Sequence, residues 1–189
     1  KIDWISNLFI YFFIFLVKPK YFKIKILSMK RLLVNSITIS RVILGLLFLY
    51  YVLVDLNTAN LTIIFALTAF SDILDGKLAR KYGFATDDGA KFDVICDFAF
   101  IIISTLALVL IDLIPPWFLL VIILKLVEFF KTSDKKLKYD GFGHAVALMF
   151  YVFPLTAILI ESKMIVLILA IFITICAVTS SILRINAIK

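Results

Sequence analysis

Residues 71–97, SDILDGKLARKYGFATDDGAKFDVICD, hold six of the chain's thirteen acidic residues: Asp72, Asp75, Asp87, Asp88, Asp93 and Asp97. On a helix, Asp72 and Asp75 are three apart and project from one face; Asp93 and Asp97, four apart, do the same. Gly89 lies one turn before Asp93 on that stripe. The short stretch KYGFATDD between the pairs makes the two helices antiparallel neighbours whose acid-bearing ends meet. Four carboxylates in one pocket repel, so protons or cations must neutralise them. Oxygen ligands at this spacing suit hard divalent ions such as Mg²⁺ or Mn²⁺. Two such ions balance four carboxylates, and a metal pair can clamp the attacking and leaving oxygens of a phosphate displacement. The neighbours fit a phosphorylated ligand. Gly76 admits close approach to the backbone, Ala79 keeps the face open, and Arg80 can grip phosphate bidentately.

The elements that carry these residues belong in a bilayer. Of 189 residues 63% are hydrophobic, and mean hydropathy is +1.12. Soluble domains run nearer 45–50% apolar. The expected fold is all-α: a polytopic membrane protein with six transmembrane helices, near 37–54, 61–73, 92–111, 117–130, 145–160 and 164–185. The second apolar run is short but continues helically to about Lys81. Lys and Arg alternate between the gaps: six lie at 18–31 before the first span, none lie in DLNTAN, and four follow the second span. None lie in DLIPP and four lie in KTSDKKLKYD. By the positive-inside rule both termini and the acidic stretch face the cytoplasm of a multi-pass cell-membrane protein. Residues 4–17, WISNLFIYFFIFLV, are short for a span, and lysines follow them. They are expected to form an N-terminal amphipathic helix lying in the interface, with a seventh span as the alternative. Residues 1–33 thus form a basic interfacial segment and 34–189 the transmembrane domain. The net charge of +7 sits in the gaps between apolar runs, which indicates orientation and anionic membrane lipids, not nucleic acid. Cys96 and Cys176 both fall in apolar helices, where they are expected to pack and not to pair.

The ordered set Asp72, Asp75, Gly76, Ala79, Arg80, Gly89, Asp93 and Asp97 resembles the signature of the CDP-alcohol phosphotransferase family. All eight signature residues are present, in order. The resemblance implies a multi-pass transferase of phospholipid biosynthesis, often a homodimer. Such an enzyme moves a phosphatidyl group from a CDP-linked lipid, CDP-diacylglycerol or CDP-archaeol, to a small alcohol and releases CMP. It further implies that Asp72, Asp75, Asp93 and Asp97 hold two Mg²⁺ or Mn²⁺ ions, that Asp97 is the catalytic base, and that Gly76, Ala79, Arg80 and Gly89 line the CDP site.

Several other residues carry two readings. Arg41 stands inside the first span, where a charge needs a reason: it snorkels to the interface or lines a polar cavity. Lys125 and Glu128 are three apart in the fourth span. They form a structural ion pair, or Lys125, with Lys131, holds the phosphate of an acceptor. Arg41, Lys125 and Lys131 together make glycerol 3-phosphate or inositol phosphate the leading acceptors, with serine or another small alcohol as the alternative. Asp87 and Asp88 read as a solvated turn or a helix N-terminus, His144 as a capping or interfacial residue, and Pro154 as a kink in the fifth span. The alternative from another class is a divalent-cation transporter or channel, which needs carboxylates near mid-membrane. A prenyltransferase would separate its aspartate motifs widely along the chain. Both pairs here fall within one hairpin, near its charged end.

Overall fold

The computed structural model describes residues 29–81, 87–132, 141–160 and 162–186. The expected interfacial helix at 4–17 lies outside the described residues. The chain divides into two units, Lys1–Leu32 and Leu33–Lys189, and the second carries the features below. Its helices are α1 (Met29–Val54, begun in the first unit), α2 (Thr58–Lys81), α3 (Asp87–Leu110), α4 (Pro116–Thr132), α5 (Gly141–Leu159) and α6 (Lys163–Asn186). No strand occurs among the described residues.

Four helical stretches are long and apolar enough to cross a membrane: Ser36–Val54, Gly89–Leu110, Gly141–Leu159 and Lys163–Asn186. The other two helices fall short for identifiable reasons. α2 carries Asp72, Asp75, Lys77, Arg80 and Lys81 in its last ten residues, and α4 has only 17 residues. The helices also run past the apolar runs, because the charged ends are themselves helical. α3 starts at Asp87, so the acids that precede Gly89 stand at a helix N-terminus, where the dipole favours negative charge.

α3 is the central helix. Its apolar stretch is 61% buried, against 28–33% for the other three. Residues 100–105 are buried without interruption, which a helix shows when neighbours cover it all round. Phe100 lies at the middle of an aromatic cluster. Its ring meets Phe48 of α1 at 6.2 Å, Phe65 of α2 at 6.2 Å and Tyr151 of α5 at 5.4 Å. Beside it Gly45 lets α1 approach closely: a Cβ there would stand 3.5 Å from the Phe100 Cα. A second aromatic group joins α4 to α5, with Phe118 4.6 Å from Phe153. The outer surface is apolar: Ile43, Tyr50, Ile63, Phe70, Ile168 and Phe172 are all more than half exposed. Such a surface suits lipid, where helices satisfy their own backbone groups.

The connections are short and chemically punctuated. Asn57 caps α2, its Oδ1 accepting from the amides of Ala59 at 3.0 Å and Asn60 at 3.3 Å. α3 ends in a Schellman turn. Leu113 N bonds Leu108 O at 3.0 Å, Asp112 N bonds Val109 O at 3.1 Å, and Asp112 has φ 56°. Pro115 then bars continuation, and Pro116 opens α4 at the first helical position, where its missing N–H costs nothing.

Candidate metal and nucleotide site

Three helices converge on the acidic stretch. α2 brings Asp72 and Asp75 near its C-terminal end, and α3 brings Asp93 and Asp97 near its N-terminal end. One oxygen each from Asp72, Asp75 and Asp93 can be chosen so that all three lie within 4.8 Å of one another. This is the group with cation-binding geometry among the described residues. Its donors are all carboxylate oxygens, which suits Mg²⁺ or Mn²⁺ over softer ions. Asp97 is outside that triplet and joins it through an arginine.

That arginine is Arg41 of α1, and its side chain is wholly buried. Nη2 donates to Asp75 Oδ2 and stands 3.4 Å from Asp72 Oδ1. Nη1 donates to Asp97 Oδ1 and stands 2.7 Å from Asp93 Oδ1. One nitrogen thus serves the carboxylates of α2 and the other those of α3. Thr38, one turn earlier on α1, donates its hydroxyl to Asp75 Oδ2 at 2.8 Å. Exposure rises outward from this base. The Asp75 side chain is 4% exposed, Asp97 29%, Asp93 39% and Asp72 49%. The cluster therefore opens on one side, with Arg41 and Asp75 as its floor. Without Arg41 the buried carboxylate of Asp75 would lose its cationic partner, a change that typically costs about 3–5 kcal/mol.

Around the cluster, Gly76 leaves the α2 surface bare: a Cβ there would meet only Arg80 Nη2, at 3.8 Å. Arg80 and Gly89 are exposed, and Ala79 lies in the same turn of α2 as Arg80. An apolar groove of about 350 Å³ runs between α1 and α2, lined by Ile37, Ile43, Leu44, Leu67, Phe70 and Leu74. Ser40 and Ser71 also border it, next in sequence to Arg41 and Asp72.

The structure thus brings the four aspartates and Arg41 together and holds Lys125 elsewhere. Lys125 is 9% exposed, and its ammonium donates to Glu128 at 2.9 Å and to Ser180 and Ser181 of α6 at 3.1 Å each. Ser181 donates in turn to Glu128 Oε2 at 2.5 Å. The expectation of an acceptor contact at Arg41 and Lys125 therefore meets two cations already engaged by the protein. Lys131 is exposed in the last turn of α4. Sequence reading passed over Thr38, Ser180 and Ser181. Thr38 could have been found, since it stands three residues before Arg41 and so shares its helix face.

Comparison with known proteins agrees with this geometry. The family model for CDP-alcohol phosphatidyltransferase matches residues 31–176, well over half of the chain. The matched stretch includes Arg41 and every residue of the acidic hairpin. No curated protein matches the chain.

Proposed function

The chain belongs to the CDP-alcohol phosphatidyltransferase family, a membrane transferase of phospholipid synthesis, and from that premise we propose a specific reaction for it. It transfers a phosphatidyl group from a CDP-linked lipid, CDP-diacylglycerol or CDP-archaeol, to a small and phosphorylated alcohol such as glycerol 3-phosphate or inositol phosphate. The observation that carries this reading is the convergence of Asp72, Asp75 and Asp93 from two helices within 4.8 Å, with Asp97 joined through Arg41.

In this reading Asp72, Asp75, Asp93 and Asp97 hold two divalent ions, Mg²⁺ or Mn²⁺. When bound, those ions supply charge neutralisation for the diphosphate and for the departing CMP. The chain's own residues do the rest. Gly76, Ala79, Arg80 and Gly89 seat the CDP moiety, Gly76 by leaving backbone exposed and Arg80 by pairing with phosphate. The groove between α1 and α2 accommodates a lipid chain beside the polar cluster. Asp97 takes the proton of the acceptor hydroxyl. The hydroxyl oxygen attacks the phosphorus that carries the lipid; the new P–O bond forms as the bond to CMP breaks, and CMP leaves with the electron pair. Lys131, exposed at the end of α4, is the cation left to meet the acceptor's phosphate.

The reading also sets the protein in its membrane. α2 and α4 complete a six-span bundle, with both termini and the aspartates on the cytoplasmic side, as the Lys and Arg distribution requires. The active form is a homodimer. The test is CMP release by the purified protein in liposomes with CDP-diacylglycerol or CDP-archaeol. CMP should form only when an alcohol acceptor and Mg²⁺ or Mn²⁺ are both present, and a chelator should abolish it. CMP formation at an undiminished rate in excess chelator refutes the metal-centred reading.

A further inference from the structure

Arg41 makes four contacts with four acidic side chains, and no other cation is within salt-bridge distance of those four among the described residues. An arginine that snorkels would extend to water; this one is wholly buried. An arginine waiting for an acceptor phosphate would present donors to the open side of the site. Instead both terminal nitrogens face carboxylate oxygens, Nη2 toward α2 and Nη1 toward α3. Its planar fork suits this, because two nitrogens at fixed separation can address two helices at once.

The charges give this arrangement a consequence. Four carboxylates against one guanidinium leave the cluster strongly anionic, so it still attracts divalent cations. Yet the oxygens the guanidinium engages belong to the same side chains that converge within 4.8 Å for a cation. A hard divalent ion requires carboxylate oxygens at about 2.0–2.1 Å for Mg²⁺. A positive guanidinium held on the same carboxylates opposes that approach.

We propose that Arg41 is the resident counterion of the metal-free cluster: it aligns and partly neutralises the four aspartates across α2 and α3, and gives up part of those contacts when divalent cations bind. Arg41 is in this sense a positioning residue, acting through the aspartates. The inference rests on the metal-binding reading of the aspartates given above.

The chain has four arginines, Arg31, Arg41, Arg80 and Arg184, few enough to follow individually. The full-length protein, labelled with ¹⁵N-arginine in lipid nanodiscs, is titrated with Mg²⁺, and the Arg41 signal is identified by its loss in Arg41→Lys. Exchange of the Arg41 guanidinium protons with water should be slow in chelator and at least tenfold faster at saturating Mg²⁺. In parallel, the rise in Tm from chelator to Mg²⁺ should be larger in Arg41→Gln than in wild type, because the variant's metal-free state has lost its counterion. If Mg²⁺ raises the wild-type Tm but Arg41 exchange stays as slow, Arg41 keeps its contacts and this inference fails while the metal site stands. An equal or smaller Tm rise in Arg41→Gln also overturns it. If Mg²⁺ changes neither Tm nor the spectrum of the wild type, both this inference and the metal-binding reading fall. Should Arg41→Gln not fold, the wild-type exchange measurement decides alone.

Discussion

The Lys125–Glu128 pair can be tested by a double-mutant cycle whose size follows from the structure. Lys125 is 9% exposed and Glu128 15%, so both charges are largely withdrawn from solvent. Lys125→Met leaves the Glu128 carboxylate with the Ser181 hydroxyl as its donor and with no cation among the described residues. Removing one partner of a buried pair typically costs about 3–5 kcal/mol, because the survivor keeps its desolvation penalty. Glu128→Leu strands the Lys125 ammonium on two serine hydroxyls, at a similar cost. The double variant strands neither charge. Ser181 retains its bond to the Ala177 carbonyl at 3.0 Å, and Ser180 loses one interaction, worth about 1 kcal/mol. The double variant should therefore lie within about 1–2 kcal/mol of wild type, since replacing a whole buried pair by apolar groups is often neutral. The assay is reversible denaturant unfolding of the four proteins in detergent, read by tryptophan fluorescence or circular dichroism. CMP release is measured alongside, with the acceptor KM. Additive single effects, or a Lys125→Met cost below about 1 kcal/mol, would show that the two charges are not coupled. A folded double variant whose acceptor KM rises sharply would return Lys125 to the acceptor pocket.

Asp97→Asn should bind CDP-lipid with little change yet lose turnover by about 10²–10⁴-fold, the usual worth of a general base; normal turnover by the purified variant removes Asp97 from that role. Gly45 predicts a size threshold. Its added Cβ would meet Phe100 Cδ2 at 3.4 Å, so Gly45→Ala should be tolerated, helped by alanine's helix preference of about 1 kcal/mol. Gly45→Val should push α1 from the Phe100 backbone and cost about 1–3 kcal/mol, seen as a lower Tm and weaker activity through displaced Arg41. Equal Tm values for the two variants would mean that α1 does not rest on α3 there.

Much of this protein can be read without coordinates because its strongest signals are local. Helix period alone puts Asp72 with Asp75 and Asp93 with Asp97, and the brief connection between the pairs makes their ends neighbours. Apolar run length likewise announces membrane helices, since lipid offers no partner for an unpaired backbone group. Run length was less informative where charges invade a helix. α2 continues through four charged residues after its apolar run at 61–73, and α1 starts well before its own. The α2 end is helical because Arg41 meets its carboxylates and the C-terminal dipole favours Arg80 and Lys81, which a hydropathy profile does not register.

The partners of the isolated cations were decided only in three dimensions. From the chain, Arg41 had two plausible destinations and Lys125 had two. Arg41 is separated by 34 residues from Asp75 and by 56 from Asp97, and Lys125 by 55 from Ser180. No helical or strand period spans such distances. Whether a buried cation meets carboxylates, hydroxyls or water depends on how helices are rotated against one another. That rotation is set by packing of shapes, such as Gly45 against Phe100, which no single segment of sequence specifies.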